Sequence, residues 1–283
     1  MKHGQNFPRG NKFFAWLTAG TVACQILSFA TSASAQIVNL TNGNASSQID
    51  LGSPTNMFNW VIDGVNVLTR QSFFYRTNPG GVGSSISPLA ITQLIPNSVS
   101  ATFAGNGFSV TTVYNLIGGA NGSGTADMSE QIKVQNNTAA PLVFNFFQYA
   151  NFAGSGIVEL GQNSRGFFNE AFISGGGLVV TENLDTGISP GADDGAVGDP
   201  VTILNEITGT PGFNPSGPNS GPGAWVLEWQ RTIGANGSLI ISKDLNAAGV
   251  GLAPSPEPPA WSLVSIGLIA FGALKQYRSR RSK

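Results

Sequence analysis

From about residue 56 to residue 243 the apolar side chains recur at every second position, and glycine, asparagine or proline interrupts them at roughly ten-residue intervals. A strand sends alternate side chains to opposite faces, whereas a helix would repeat its apolar residues every 3.6 positions. Between the two ends of the chain no stretch of twelve residues shows the helical period. Short strands separated by regular turns predict an all-β fold, an antiparallel β-sandwich.

Two hairpins can be put in register from the residues alone. In residues 58–67 an Asp63-Gly64 turn pairs Ile62 with Val65 and Trp60 with Val67, so Phe58, Trp60, Ile62, Val65 and Val67 share a face. In residues 99–116 a Gly105-Asn106 turn pairs Phe103 with Phe108 and Ala101 with Val110, gathering Val99, Phe103, Phe108, Val110, Tyr114 and Leu116. Residues 128–135 alternate Met128, Ile132 and Val134 with polar neighbours. Residues 141–150 are apolar on both faces, which predicts a central strand covered on both sides. Further strands are expected at 157–160, 166–172, 178–182, 201–206, 224–232 and 238–243. The Asp/Gly-rich 185–200 and the Pro/Gly-rich 211–223 are expected as loops.

Charge narrows the function classes. Residues 36–253 hold six basic and fourteen acidic residues, a net −8 that the whole-chain value of −1 conceals. Without a basic patch there is no electrostatic route to nucleic acid. The single Cys and the single His are Cys24 and His3, both near the start. Residues 36–253 therefore lack disulfides, Ser-His-Asp or Cys-His catalysis, and any zinc site that needs His or Cys.

The ends read as addresses. Lys2, Arg9 and Lys12, the apolar 13–30, and Ala33-Ser34-Ala35 before Gln36 form a secretory signal peptide over 1–35. Residues 260–274 are uncharged and as a helix would span roughly 22 Å, short of a hydrocarbon core of about 30 Å. Snorkelling by Lys275 and Arg278, with Trp261 and Tyr277 at the interfaces, would cover the difference. The basic cluster Lys275, Arg278, Arg280 and Arg281 assigns the extreme C-terminus to the cytoplasmic side and 36–253 to the outside. A proline-rich stalk, from Pro254 to Pro259, joins the two and opens the tail 254–283.

Pro256-Glu257-Pro258, one apolar span and a terminal Arg-rich cluster, in that order, resemble the PEP-CTERM sorting signal. Such tails occur in bacteria with an outer membrane and an exopolysaccharide matrix, and are substrates of exosortase, a membrane-embedded, thiol-dependent, transpeptidase-like enzyme. Ser255 stands where the family often has Val, and Pro259 extends the motif. The resemblance covers only 256–283. It implies a protein exported to the cell envelope or matrix, held at least transiently in the inner membrane, with exosortase as partner.

Within 36–253 four constellations are weighed. Asp185-Thr186-Gly187 has the letters of an aspartic-protease triplet but no second copy, and reads as a turn. Asp193, Asp194 and Asp199 offer oxygens of the kind calcium takes, or are solvated loop acids; no other cofactor is called for. Trp225 and Trp229 share a strand face with Leu227, as a core face or as a stacking platform for sugar, with Glu228 and Gln230 opposite. For glycan hydrolysis nothing selects a pair among Glu170, Glu182, Glu206, Glu228 and the other acids. The reading is a non-enzymatic exported protein, with a carbohydrate-binding module for the matrix polysaccharide as alternative and a secreted glycan hydrolase behind it.

Overall fold

A computed structural model describes residues 36–78, 81–175, 177–184, 191–209, 213 and 218–251. The expected signal peptide over 1–35, Asp185, the Pro256-Glu257-Pro258 motif, the expected span 260–274 and the basic cluster lie outside the described residues. Among the described residues no helix is long and apolar enough to cross a membrane.

In chain order the elements are β1 (Ile37–Asn42), β2 (Ala45–Asp50), β3 (Asn56–Ile62), β4 (Val65–Arg76), β5 (Ser84–Ser85), β6 (Ala90–Ile95), β7 (Ser98–Ala104), β8 (Phe108–Gly118), β9 (Ala126–Asn136), β10 (Leu142–Phe152), β11 (Ile157–Gln162), β12 (Phe168–Gly175), β13 (Leu178–Leu184), β14 (Asp194–Gly198), α1 (Pro200–Thr208), β15 (Ser220–Pro222), β16 (Ala224–Ile233) and β17 (Ser238–Ala248). An eight-stranded sheet runs β1-β2-β3-β4-β10-β16-β14 with β5 beside β4, and a nine-stranded sheet runs β15-β11-β12-β13-β17-β9-β8-β7-β6. All pairings are antiparallel, so the expected all-β sandwich is the fold observed.

Between the sheets lies a core of aromatic and branched side chains, with Trp60, Phe73, Tyr114, Phe144, Phe146, Trp225 and Trp229 all fully buried. Phe73 and Phe146 meet at 5.4 Å between ring centres, Phe146 and Trp229 at 5.5 Å, and Phe152 stacks on Trp225 at 4.9 Å. These are the separations at which ring pairs attract. A smaller cluster covers the opposite, outer face of the eight-stranded sheet. There Ile203 and Ile207 of α1, with Phe213, pack on Phe74, Phe147, Tyr149, Ala196 and Val226. Strand β10 is thus buried on both faces, as its sequence predicts.

Register differs from expectation at both hairpins, for local reasons. Ile62 does pair with Val65, but Trp60 faces Leu68 rather than Val67 across a bulge. Asn59, at φ 49°, turns the strand there, so Met57 and Trp60 are buried while Phe58 is only partly so. At the second hairpin Phe103 pairs with Val110 and Ala101 with Thr112. The turn is Asn106-Gly107, with Gly107 at φ +80°, the conformation that glycine adopts without strain. A shift of two keeps the parity, so the expected face is still the buried one.

The strand expected at 201–206 is helix α1. Asp199 caps it, its side chain accepting from the backbone N–H groups of Val201 at 3.1 Å and Thr202 at 3.0 Å, and Pro200 follows at the first position. Ile203 and Ile207, four apart, then share the buried face. The end of α1 is tied to the chain before β5, where the Gly83 N–H donates to the Ile207 carbonyl at 2.9 Å; a Cβ at Gly83 would stand 2.6 Å from that oxygen. A helix and a strand predict different outcomes here. Ile207→Ala, which empties a fully buried site, should destabilise by about 3 kcal/mol, and Val201→Ala, 66% exposed, by no more than about 0.5 kcal/mol in urea melts. Were 201–206 a strand, Val201 would be in phase with Ile203 and would cost as much as its neighbour.

Candidate functional site

Period two sends every other residue of β4, β10, β16 and β14 to the outer face of the eight-stranded sheet. Cross-strand pairing lines them up: Arg76 beside Asn145 beside Gln230, then Phe74 beside Phe147 beside Glu228 beside Asp194, then Ser72 beside Tyr149 beside Val226 beside Ala196. In the last of these rows Tyr149, Val226 and Ala196 lie under α1. The first is polar, and beyond it Val143 is 43% exposed and Gln230 is exposed. Glu228, itself only 1% exposed, stands where the covered part of this face gives way to the exposed Gln230 and Val143.

Its carboxylate is held on one oxygen. Oε1 accepts from Arg76 Nη2 at 2.8 Å and from Asn145 Nδ2 at 2.6 Å, and among the described residues Oε2 accepts from none. The Arg76 guanidinium lies over the Phe147 ring, 4.9 Å from its centre, and donates through Nη1 to the Gly81 carbonyl at 3.3 Å. Burial pushes the Glu228 carboxyl above its ordinary value, the bonds from Asn145 and Arg76 pull it only part of the way back, and Asp194 adds a further upward push. Asp194, directly opposite Glu228 on β14, is itself raised, first by burial and then by Asp193. Opposed residues on one face place their Cβ atoms about 5 Å apart. The site is thus a close pair of acids, both biased toward keeping a proton.

The acids expected to bind calcium are otherwise engaged. Asp193 pairs with the Arg231 guanidinium and accepts from the Gln230 N–H at 2.7 Å, Asp194 accepts from Gln230 Nε2 at 3.1 Å, and Asp199 caps α1. Among the described residues no three acidic, His or Cys side chains converge as a metal site would require. Of the two readings of the tryptophan face, the core face is the one observed. Trp225 and Trp229 are fully buried between the sheets, so neither indole is open to a sugar. Of the acids on expected strands, Glu228 is the one brought to a second carboxylate on the outer face. Its place opposite the tryptophan face was legible, but its partner Asp194 lay in a segment read as loop.

No protein-family model matches the chain, and no curated protein does. Among solved structures it is similar to a candidate aldose 1-epimerase from Escherichia coli K12, with 9% identity, 76% of this chain and 99% of that one covered, and a TM-score of 0.49. The Slr1438 protein of Synechocystis sp. PCC 6803 gives 9%, 77%, 98% and 0.49. A galactose mutarotase-like protein from Lactobacillus casei ATCC 334 gives 8%, 75%, 100% and 0.43. The expectation of a non-enzymatic domain is corrected here. Two of these structures carry the names of an epimerase and a mutarotase-like protein. The expectation rested on the lack of a selected acid pair, and the structure places Glu228 and Asp194 opposite one another on neighbouring strands.

Removing one member of a buried ion pair leaves the other charge unpaired. Arg76→Ala should therefore cost about 3 kcal/mol in chemical denaturation, and Arg76→Met with Glu228→Gln should recover most of it. Because the folded carboxyl of Glu228 is raised above its ordinary 4.5, the native state holds that proton more tightly than the unfolded chain. The contribution is complete below about pH 4.5 and is lost as pH rises through the folded value. Glu228→Gln should flatten that part of the stability profile; an unchanged profile would deny the shift.

Proposed function

We propose that residues 36–253 act on a neutral saccharide at the outer face of the eight-stranded sheet, with Glu228 as the proton-transferring carboxyl and Asp194 as the second acid. One observation carries this reading: Glu228 is anchored through one oxygen by Arg76 and Asn145, keeps the other oxygen free, is biased toward protonation, and faces Asp194 across one strand pair. Acid–base chemistry at an anomeric centre needs two carboxyl groups at short range, one giving a proton while the other takes or stabilises. Gln230 and Asn145 are on the same face as uncharged partners for sugar hydroxyls. A net charge of −8 over 36–253 disfavours an anionic polymer, which selects neutral sugars.

In this proposal the protein works outside the cytoplasm. The signal-peptide pattern over 1–35 and the resemblance of 256–283 to an exosortase-recognised tail support delivery to the envelope or the exopolysaccharide matrix, with exosortase and the inner membrane as partners and the matrix polysaccharide as the nearest substrate.

The test is the purified full chain with neutral mono- and oligosaccharides, following anomer exchange by NMR and release of reducing ends. A rate above the uncatalysed one is expected, falling by about a hundredfold or more in Glu228→Gln with saccharide binding kept. If ionised Glu228 is the base, the rate climbs with pH through a midpoint above 4.5. Activity unaffected by Glu228→Gln, or neither binding nor turnover of any neutral sugar, overturns the proposal.

A further inference from the structure

The second buried charge cluster lies between the sheets, on the side of β10 away from Glu228. Lys243 of β17 and Glu130 of β9 are direct cross-strand partners, and both side chains point into the core. Lys243 Nζ stands 2.8 Å from Glu130 Oε2 and 3.6 Å from Glu182 Oε1 of β13, with all three residues at 3% exposure or less. The ammonium lies 5.4 Å from the centre of the Phe73 ring, and Gln148 Nε2 donates to Glu182 Oε2 at 2.6 Å. The contact between Nζ and Glu130 is close without the alignment of a hydrogen bond, and Nζ, both Glu130 oxygens, both amide atoms of Gln71 and the Tyr114 hydroxyl make no hydrogen bond.

We propose that Lys243 and Glu130 form an intramolecular isopeptide bond, with Glu182 as the proton-carrying group. The reacting form is the amine with the carboxylic acid, one proton transfer across the contact away from the ion pair. Burial pushes the Glu130 carboxyl up to about 7 even with Lys243 beside it, which favours the protonated acid. The Nζ lone pair adds to Cδ of Glu130, forming the N–C bond. Glu182 takes a proton from the nitrogen and returns it to a Glu130 hydroxyl, which leaves as water with the C–O bond. The products are one amide and one water, Glu182 is unchanged, and no other reactant is needed. An amine held 2.8 Å from a carboxyl oxygen is within range of a near-attack geometry, for which effective molarities of about 10⁵ M or more offset the cost of condensation in water. The amide also replaces two buried charges by a neutral group. It would tie β9 to β17 as a disulfide would, in a chain whose single Cys is Cys24.

The test is tryptic mapping of the denatured full chain. The proposal expects the fragment 77–133 joined to the fragment containing Lys243, lighter than the two together by one water, with no cleavage after Lys243. Glu182→Gln should yield the unlinked fragments from a folded protein, and Lys243→Met should abolish the link. Unlinked fragments from the wild type would make the cluster an ordinary ion pair. A link to the fragment containing Glu182, or one that persists in Glu182→Gln, would overturn the assigned roles.

Discussion

Strand β10 is enclosed on both faces, and the rest of the molecule is arranged by that constraint. Phe144, Phe146 and Ala150 face the nine-stranded sheet, while Phe147 and Tyr149 face α1 and Phe213. A polar side chain buried on either face needs a partner, because burial takes it out of water. The strand's two buried amides each serve a carboxylate: Gln148 donates inward to Glu182, and Asn145 donates outward to Glu228. One strand therefore positions an acid on each side of the eight-stranded sheet.

The few cations of the domain are spent in the same way. Arg76 is given to Glu228, Arg231 to Asp193, and Lys243 to Glu130 and Glu182. Arg70 lies 5.8 Å from the Tyr149 ring centre and donates to Ser72 at 2.7 Å. Four of the six basic residues in 36–253 thus act within the fold. Among the described residues most of the acids have no basic partner, so the surface is negative and much of its remaining hydrogen-bonding capacity is uncharged. That combination suits hydroxyl-rich neutral partners better than anionic ones.

Much of the fold was legible because burial imposes a period of two. The doubly apolar 142–152 segment announced its central place, and the core face of β7 and β8 was right although the turn was misplaced, since a slip of two residues preserves parity. The helix was missed because nine residues show little period, and its signal lay in the cap, Asp199 before Pro200, with Ile203 and Ile207 four apart. The first two strands went unread because Asn, Ser and Thr occupy many of their positions. The sites were harder to see. Glu130 falls in phase with Met128 and Ile132, a sign of a buried acid, but Lys243 and Glu182 reach it only through strand pairings remote in sequence. Glu228 was visible opposite the tryptophans, while β14, which brings Asp194 to it, is a five-residue strand inside a glycine- and aspartate-rich segment.

What the functional account requires most is that Glu228, 1% exposed, be a poised carboxyl that a bound saccharide reaches. Its side-chain carboxyl carbon, labelled with ¹³C and assigned by its loss in Glu228→Gln, can be titrated by NMR with and without neutral oligosaccharide. The account predicts a midpoint above the ordinary 4.5 that moves when the saccharide is added. A midpoint at the ordinary value, unmoved by any neutral saccharide, would contradict it.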